Sequence, residues 1–262
     1  MPDGASASRA VAAPDRIVFL GHSTVLIELD GVRLLTDPLL RARVAHLRRL
    51  PAPPDPHHYA APDAILISHL HQDHLDLPSL RLIGSSTPLV VSAGAGAWLR
   101  RSGFSDVREL GVGEQLRLGA LTVTAVPAHH DGRRRPRGPR ANALGFIVHG
   151  SRSIYFAGDT ELFAGMAELA PSLDVALLPV AGWGPTLGAG HMDPLHAARA
   201  ARLIEPRLAI PIHWGTLQPI GPFWGMTPAR IAAPPRRFAE HLASLAPGVE
   251  VRVLAPGQET VL

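Results

Sequence analysis

Short apolar runs recur along the chain, separated by Gly, Pro and Asp. Arg16–Leu20 and Val25–Leu29 are almost continuously apolar, and Asp30-Gly31 then supplies a two-residue turn into Val32–Thr36. This predicts three strands, the last two a hairpin ended by Asp37-Pro38. Ala64–Ser68 and Pro88–Ser92 read as buried strands, with a short helix over Leu77–Ile83 and a second helix from Gly94-Ala95-Gly96 to Arg101. Val107–Leu110, Gln115–Leu118 and Leu121–Val126 predict strands, and Leu144–His149 with Ser153–Phe156 a further hairpin-like pair. Glu161–Leu169 predicts a helix, Val175–Pro179 a strand, Asp193–Ile204 a helix and Leu208–Ile212 a strand. Thr227–Leu245 carries helical spacing interrupted by Pro234-Pro235, and Val249–Leu254 predicts a closing strand. Residues 41–62, rich in Arg, Pro and His, predict a long loop. Hairpins followed by alternating strands and helices, in both halves, predict an α/β protein. The expected architecture is a four-layer αββα sandwich of two mixed sheets. Residues 1–14 read as a flexible N-terminus and 15–262 as a single domain.

Composition narrows the chemistry more than the fold. All 25 basic residues are Arg, and the net charge is only +3, so the sequence pI of 10.4 overstates how basic the protein is. A general nucleic-acid footprint needs clustered charge, and only residues 133–140 supply it. The chain has no cysteine, which excludes disulfides and thiolate ligands, so a metal must be held by His and carboxylate. Met1–Ala13 has no signal-peptide pattern, and no apolar run reaches the roughly 18–20 residues of a membrane span. A cytoplasmic location is the expectation.

The densest candidate chemistry is His69-Leu70-His71-Gln72-Asp73-His74, which leaves a buried strand and enters a helix. Such a loop can aim His69 and His71 at one ion while Asp73 and His74 turn toward a second. His130, Asp159 and His213 each follow an apolar strand as well. No Gly-x-Ser-x-Gly elbow and no Walker phosphate loop competes. Arg133, Arg135 and Arg137 follow His130 closely and are candidate bidentate partners for phosphate or carboxylate; the alternative is a solvated loop. Trp183, Trp214, Phe223 and Trp224 are candidates for an apolar pocket wall or for core. Asp193 before Pro194 reads as a helix cap.

The segments Gly21-His22-Ser23-Thr24, Thr36-Asp37-Pro38, Ser68–His74, Pro127-Ala128-His129-His130, Ala157-Gly158-Asp159-Thr160 and Ile212-His213-Trp214-Gly215-Thr216 resemble the motif series of metallo-β-lactamase fold hydrolases. Within that superfamily they are most similar to the branch of ascorbate phosphate lactonases and N-acylphosphatidylethanolamine-hydrolysing phospholipases D. The resemblance implies two metal ions, zinc with manganese or iron as alternatives, and a hydroxide between them. It assigns His69, His71 and His130 to the first ion, Asp73, His74 and His213 to the second, and Asp159 to both. Asp37 and His22 stand behind the ligands. Asp73 would orient the attacking hydroxide, and His191 in Gly190-His191-Met192-Asp193-Pro194 would donate to an oxyanion or leaving group.

The expected function is therefore hydrolysis of a phosphodiester in a small-molecule or lipid-like anionic substrate. A lactonase or other carboxylic ester or amide hydrolase is the first alternative. A nucleic-acid processing or binding protein using the arginine loop is the second, although no obligatory nucleic-acid partner is expected. The oligomeric state stays open.

Overall fold

The computed structural model describes residues 14–134, 138–169, 172–184, 186–221 and 227–262. The expectations placed on residues 1–13, on Arg135 and Arg137, and on Phe223 and Trp224 fall outside these residues. The chain opens with β1 (Arg16–Gly21), β2 (Thr24–Leu29) and β3 (Val32–Thr36). The short strands β4 (Arg43–Val44) and β5 (Leu47–Arg49) and the one-turn helix α1 (Pro56–Tyr59) follow. Next come β6 (Ala64–Leu66), α2 (Leu77–Ile83), β7 (Leu89–Ser92), α3 (Gly96–Arg101) and β8 (Val107–Leu110). The second half holds β9 (Gln115–Leu118), β10 (Leu121–Pro127), β11 (Leu144–His149), β12 (Ser153–Phe156) and β13 (Val175–Pro179). It closes with α4 (Pro194–Ile204), β14 (Leu208–Ile212), β15 (Leu217–Pro219), α5 (Pro228–Leu245), β16 (Glu250–Val251) and β17 (Glu259–Val261).

Two seven-stranded mixed sheets result, ordered β17-β1-β2-β3-β6-β7-β8 and β16-β14-β13-β12-β11-β10-β9. Alternation along β1 explains how they stack. Ile17 and Phe19 point into the cluster between the sheets, facing Phe146, Phe156 and Ile210. Val18 and Leu20 point the other way, into the layer of Leu80 and Leu99 under α2 and α3. On the far side, Tyr155, Leu178 and Ala209 meet Ala197, Ala201, Phe238 and Leu242 of α4 and α5. Both faces of each sheet are thus covered, which is why the strands read as continuous apolar runs. The αββα sandwich expected from the sequence is the architecture observed.

Four details depart from expectation. Residues 41–62 are not one loop, since β4 and β5 pair as a hairpin and join β15 in a third, three-stranded sheet. The closing strand is only Glu250–Val251, and β17, not anticipated, pairs antiparallel with β1. The helix expected over Glu161–Leu169 is a 3-10 helix at Ala164–Glu168 with no side-chain cap. Pro234 and Pro235 lie inside a continuous α5. There the packing of buried Pro235, Phe238 and Leu242 outweighs the two missing backbone donors.

The C-terminal ends of β3, β6, β10, β12 and β14 share one edge of the sandwich, through the parallel pairs β3–β6, β12–β13 and β13–β14 and the antiparallel steps β10–β11–β12. In open α/β sheets ligands bind beyond such strand ends.

Candidate metal centre

Each strand in that group releases one polar segment at its end. β3 leads to Asp37, β6 to the loop 68–76, β10 to His130, β12 to Asp159 and β14 to His213, while the β1–β2 turn presents His22. His22, Asp37 and His213 hold φ of 55°, 32° and 62°, three of the eight described non-glycine residues with positive φ. Such strain collects where function over-determines the backbone. Gly158, at φ 59°, lets the chain pass Ser68, whose Cβ would lie 2.4 Å from an added side chain.

The histidines are held by their outer nitrogens. Nδ1 of His130 meets Gly190 O at 2.9 Å, and Nδ1 of His213 meets Ala181 O at 2.6 Å. Carbonyls only accept, so both Nδ1 atoms carry the proton. His74 Nδ1 donates to Asp37 Oδ2 at 2.7 Å, and Ser68 donates from Oγ to the same oxygen at 2.5 Å. Ser68 Oγ is thereby left to accept from His69 Nδ1 at 2.9 Å. These contacts leave the Nε2 atoms of all four rings pointing inward.

The inward donors fall into groups. His69, His71 and His130 form one, and His22, Asp73, His74 and His213 another, with ligand atoms within 4.8 Å of one another in each. Asp159 lies between them, its Oδ2 3.2 Å from His74 Nε2 and 3.9 Å from His69 Nε2, its Oδ1 3.2 Å from His213 Nε2. Ring nitrogens consequently face ring nitrogens: His130 Nε2 sits 3.1 Å from His71 Nδ1, and His74 Nε2 3.3 Å from His213 Nε2. His69 Nε2 is buried with no hydrogen-bond partner. Ring nitrogens and carboxylate oxygens converging on one point are what a cation resolves, and the nitrogen and carboxylate set suits a borderline divalent ion.

The charges agree. Burial pushes His130 down to about 4 and His22 down to about 3, in the second case with help from His213, so both rings are neutral. Burial alone would raise Asp159, but His213 and His74 hold it well below the usual carboxylate range. Burial would raise Asp73 too, but the His74 charge and the 3.1 Å contact with His22 Nε2 keep it ionised.

A cavity of about 710 Å³ opens over these groups. His71, Asp73, His130, Asp159, His191 and His213 form its floor, while Val44–Leu47 of the β4–β5 hairpin and Trp183 and Leu187 form its apolar wall. His46 meets Trp183 edge-on, ring centroids 5.0 Å apart. His191 turns Nδ1 to Gly188 O and Ala189 O and places Nε2 3.4 Å from Asp159 Oδ2. Burial opposes its protonation, but the Asp159 carboxylate raises it above the ordinary value.

Two expected substrate contacts lie elsewhere. Trp214 stacks on Phe19 at 6.0 Å against the core between the sheets, and exposed Arg133 does not line the cavity. Asp193 caps α4 by accepting from His196 N at 2.8 Å. The hairpin wall was missed because two- and three-residue strands leave no period to read.

The family described as beta-lactamase superfamily domain matches residues 32–214. A metal-dependent hydrolase from Methanopyrus kandleri is 32% identical over 249 residues, covering 93% of this chain and 98% of its own length. The chain belongs to the beta-lactamase superfamily. As a member it is a metal-dependent hydrolase with a His/Asp metal-binding cluster. An N-acyl-phosphatidylethanolamine-hydrolysing phospholipase D of Caenorhabditis elegans is 29% identical, over 76% of this chain and 63% of that one. A metallo hydrolase of Ignicoccus hospitalis shares the fold at a TM-score of 0.73 with 25% identity, covering 95% and 99% of the two chains. Among the described residues no helix is long and apolar enough to cross a membrane.

Proposed function

We propose that this hydrolase uses two divalent metal ions, zinc before manganese or iron, to cleave a phosphodiester that carries an apolar substituent. The carrying observation is the pair of donor groups that meet on one buried carboxylate, Asp159. His69, His71 and His130 would hold the first ion, and Asp73, His74 and His213 the second, with Asp159 shared. Bound ions supply a nucleophilic hydroxide at neutral pH and polarise the phosphoryl or carbonyl oxygen.

The protein's own residues do the rest. Asp37 fixes His74, and His22 fixes the Asp73 carboxylate, so both face the cavity in one orientation. Asp73, held as a carboxylate by His22, would orient the attacking hydroxide. His191, with Nε2 3.4 Å from Asp159 Oδ2, would donate a proton to the leaving oxygen. Val44, Leu47, Trp183 and Leu187 seat the substituent and keep water off it. The phospholipase D relative supports the phosphodiester as the bond cleaved. One observation favours a carboxylic ester or lactone instead: no arginine is among the described residues lining the cavity, so an uncharged ester meets no unmatched cation there.

The test is hydrolysis of bis(p-nitrophenyl) phosphate, p-nitrophenyl butyrate and a simple lactone by metal-loaded protein. Turnover confined to the phosphodiester is the expected outcome. Turnover confined to the ester or lactone moves the assignment to the second reading, and none on any of the three rejects both.

Trp183→Ala is expected to raise KM about tenfold for an aryl phosphodiester, roughly the 1.4 kcal/mol of a partly lost apolar contact. The kcat stays within about twofold, because uniform binding is what is removed. Steady-state kinetics against a methyl-substituted substrate, whose KM should not move, checks it.

A further inference from the structure

Arg134 does not join its neighbours at the surface. Its guanidinium turns inward, and one nitrogen, Nη1, donates to Leu70 O at 3.1 Å and to Leu75 O at 2.5 Å. Those two carbonyls bracket the loop that carries His71, Asp73 and His74. Leu70 and Leu75 are both fully buried, so neither carbonyl has bulk water as an alternative partner. The guanidinium carbon lies 5.4 Å from the ring centre of Trp98, which closes the other side. The backbone fixes the arginine in turn, with Arg134 N donating to Pro139 O at 3.0 Å and Gly138 N to Arg134 O at 2.9 Å. A side chain at Gly138 would strike the Arg134 stem at 2.1 Å, so that close approach requires glycine.

Arg134 stands four residues after His130, on the segment that brings that ring to His69 and His71. The second donor group has anchors of its own, His74 in Asp37, Asp73 in His22 and His213 in Ala181 O, whereas in the first group His130 rests on Gly190 O and His69 on Ser68 while His71 lies on the loop that Arg134 grips. None of the second group's anchors involves Arg134.

We propose that Arg134 is a positioning residue for the first metal ion, locking the segment that delivers His130 against the loop that delivers His69 and His71. The assignment rests on the two-metal reading above. Loss of Arg134 weakens the first site and leaves the second, and the defect reads in metal affinity before it reads in turnover.

The experiment is titration of metal-free full-length protein with Co2+, followed by visible absorption and calorimetry, on wild type, Arg134→Met and Arg134→Lys. Methionine keeps an unbranched apolar stem and removes both donors; lysine restores a donor without the planar fork. Wild type should show two binding steps. In Arg134→Met one step should weaken by about tenfold to hundredfold, the usual cost of removing a group that orients a metal ligand, while the other is unchanged. Arg134→Lys should lie between. Circular dichroism of each metal-free protein establishes folding, and if Arg134→Met is unfolded the lysine variant carries the comparison. Two unchanged steps, or two steps weakened alike, in a folded variant overturn the assignment. A wild type with a single step overturns the two-metal reading itself, and this assignment with it.

Discussion

Asp159→Ala should leave the protein with no more than one tightly bound metal ion and cut turnover by on the order of 10³-fold, the scale of losing one preorganised charge in an active site. The aspartate is 2% exposed, and its carboxylate lies 3.9 Å from His69 and 4.0 Å from His130 in one donor group and 3.2 Å from both His74 and His213 in the other. Its Oδ2 also faces His191 Nε2 at 3.4 Å. Removing it strips the shared ligand and leaves His74, His213 and His191 without the charge that orients them. Asp159→Asn separates shape from charge: the amide fills the space, so a loss of the same size identifies the charge as the cause. Metal analysis and phosphodiester kinetics on the two variants check the result, and retention of two ions with near-normal turnover would count against it.

Asp37→Ala should be the most damaging single change outside the presumptive ligands. Asp37 is fully buried and accepts from Ser68 N at 2.7 Å, Ser68 Oγ at 2.5 Å and His74 Nδ1 at 2.7 Å. Alanine leaves three buried donors unpaired, a loss of about 3–5 kcal/mol. Both His69, through Ser68, and His74 lose their anchors, so metal affinity should fall about tenfold to hundredfold as well. Asparagine keeps an acceptor oxygen and should cost less than half as much. Denaturant unfolding with and without metal measures both effects, and a stability change under about 1 kcal/mol would show that the network contributes little.

Much of this was legible in the chain because the sandwich aligns strand ends. The runs of β3, β6, β10, β12 and β14 stop at the same edge, so a His or Asp just after them belongs to one cluster, whereas the antiparallel β2 and β11 run the other way and end at Asp30 and His149. His130 joins His69 and His71, while His129 turns away and stacks on Phe163 at 4.2 Å. Trp214 takes the core position of its two readings for the same geometrical reason. It follows β14 with the same facing as Ile212, toward the core between the sheets, and only His213 between them faces the cavity. The arginine run gave no period from which to tell Arg134, turned inward, from exposed Arg133. The β4–β5 hairpin was invisible because its strands are too short to alternate, and its packing on β15 brings together residues about 170 positions apart.

The central claim is a two-metal centre, and the metal content of the protein tests it most directly. Protein purified without chelator and dialysed against metal-free buffer after zinc loading is expected to retain two ions per chain by inductively coupled plasma mass spectrometry. One ion or fewer per chain, at full folding by circular dichroism, would contradict the account.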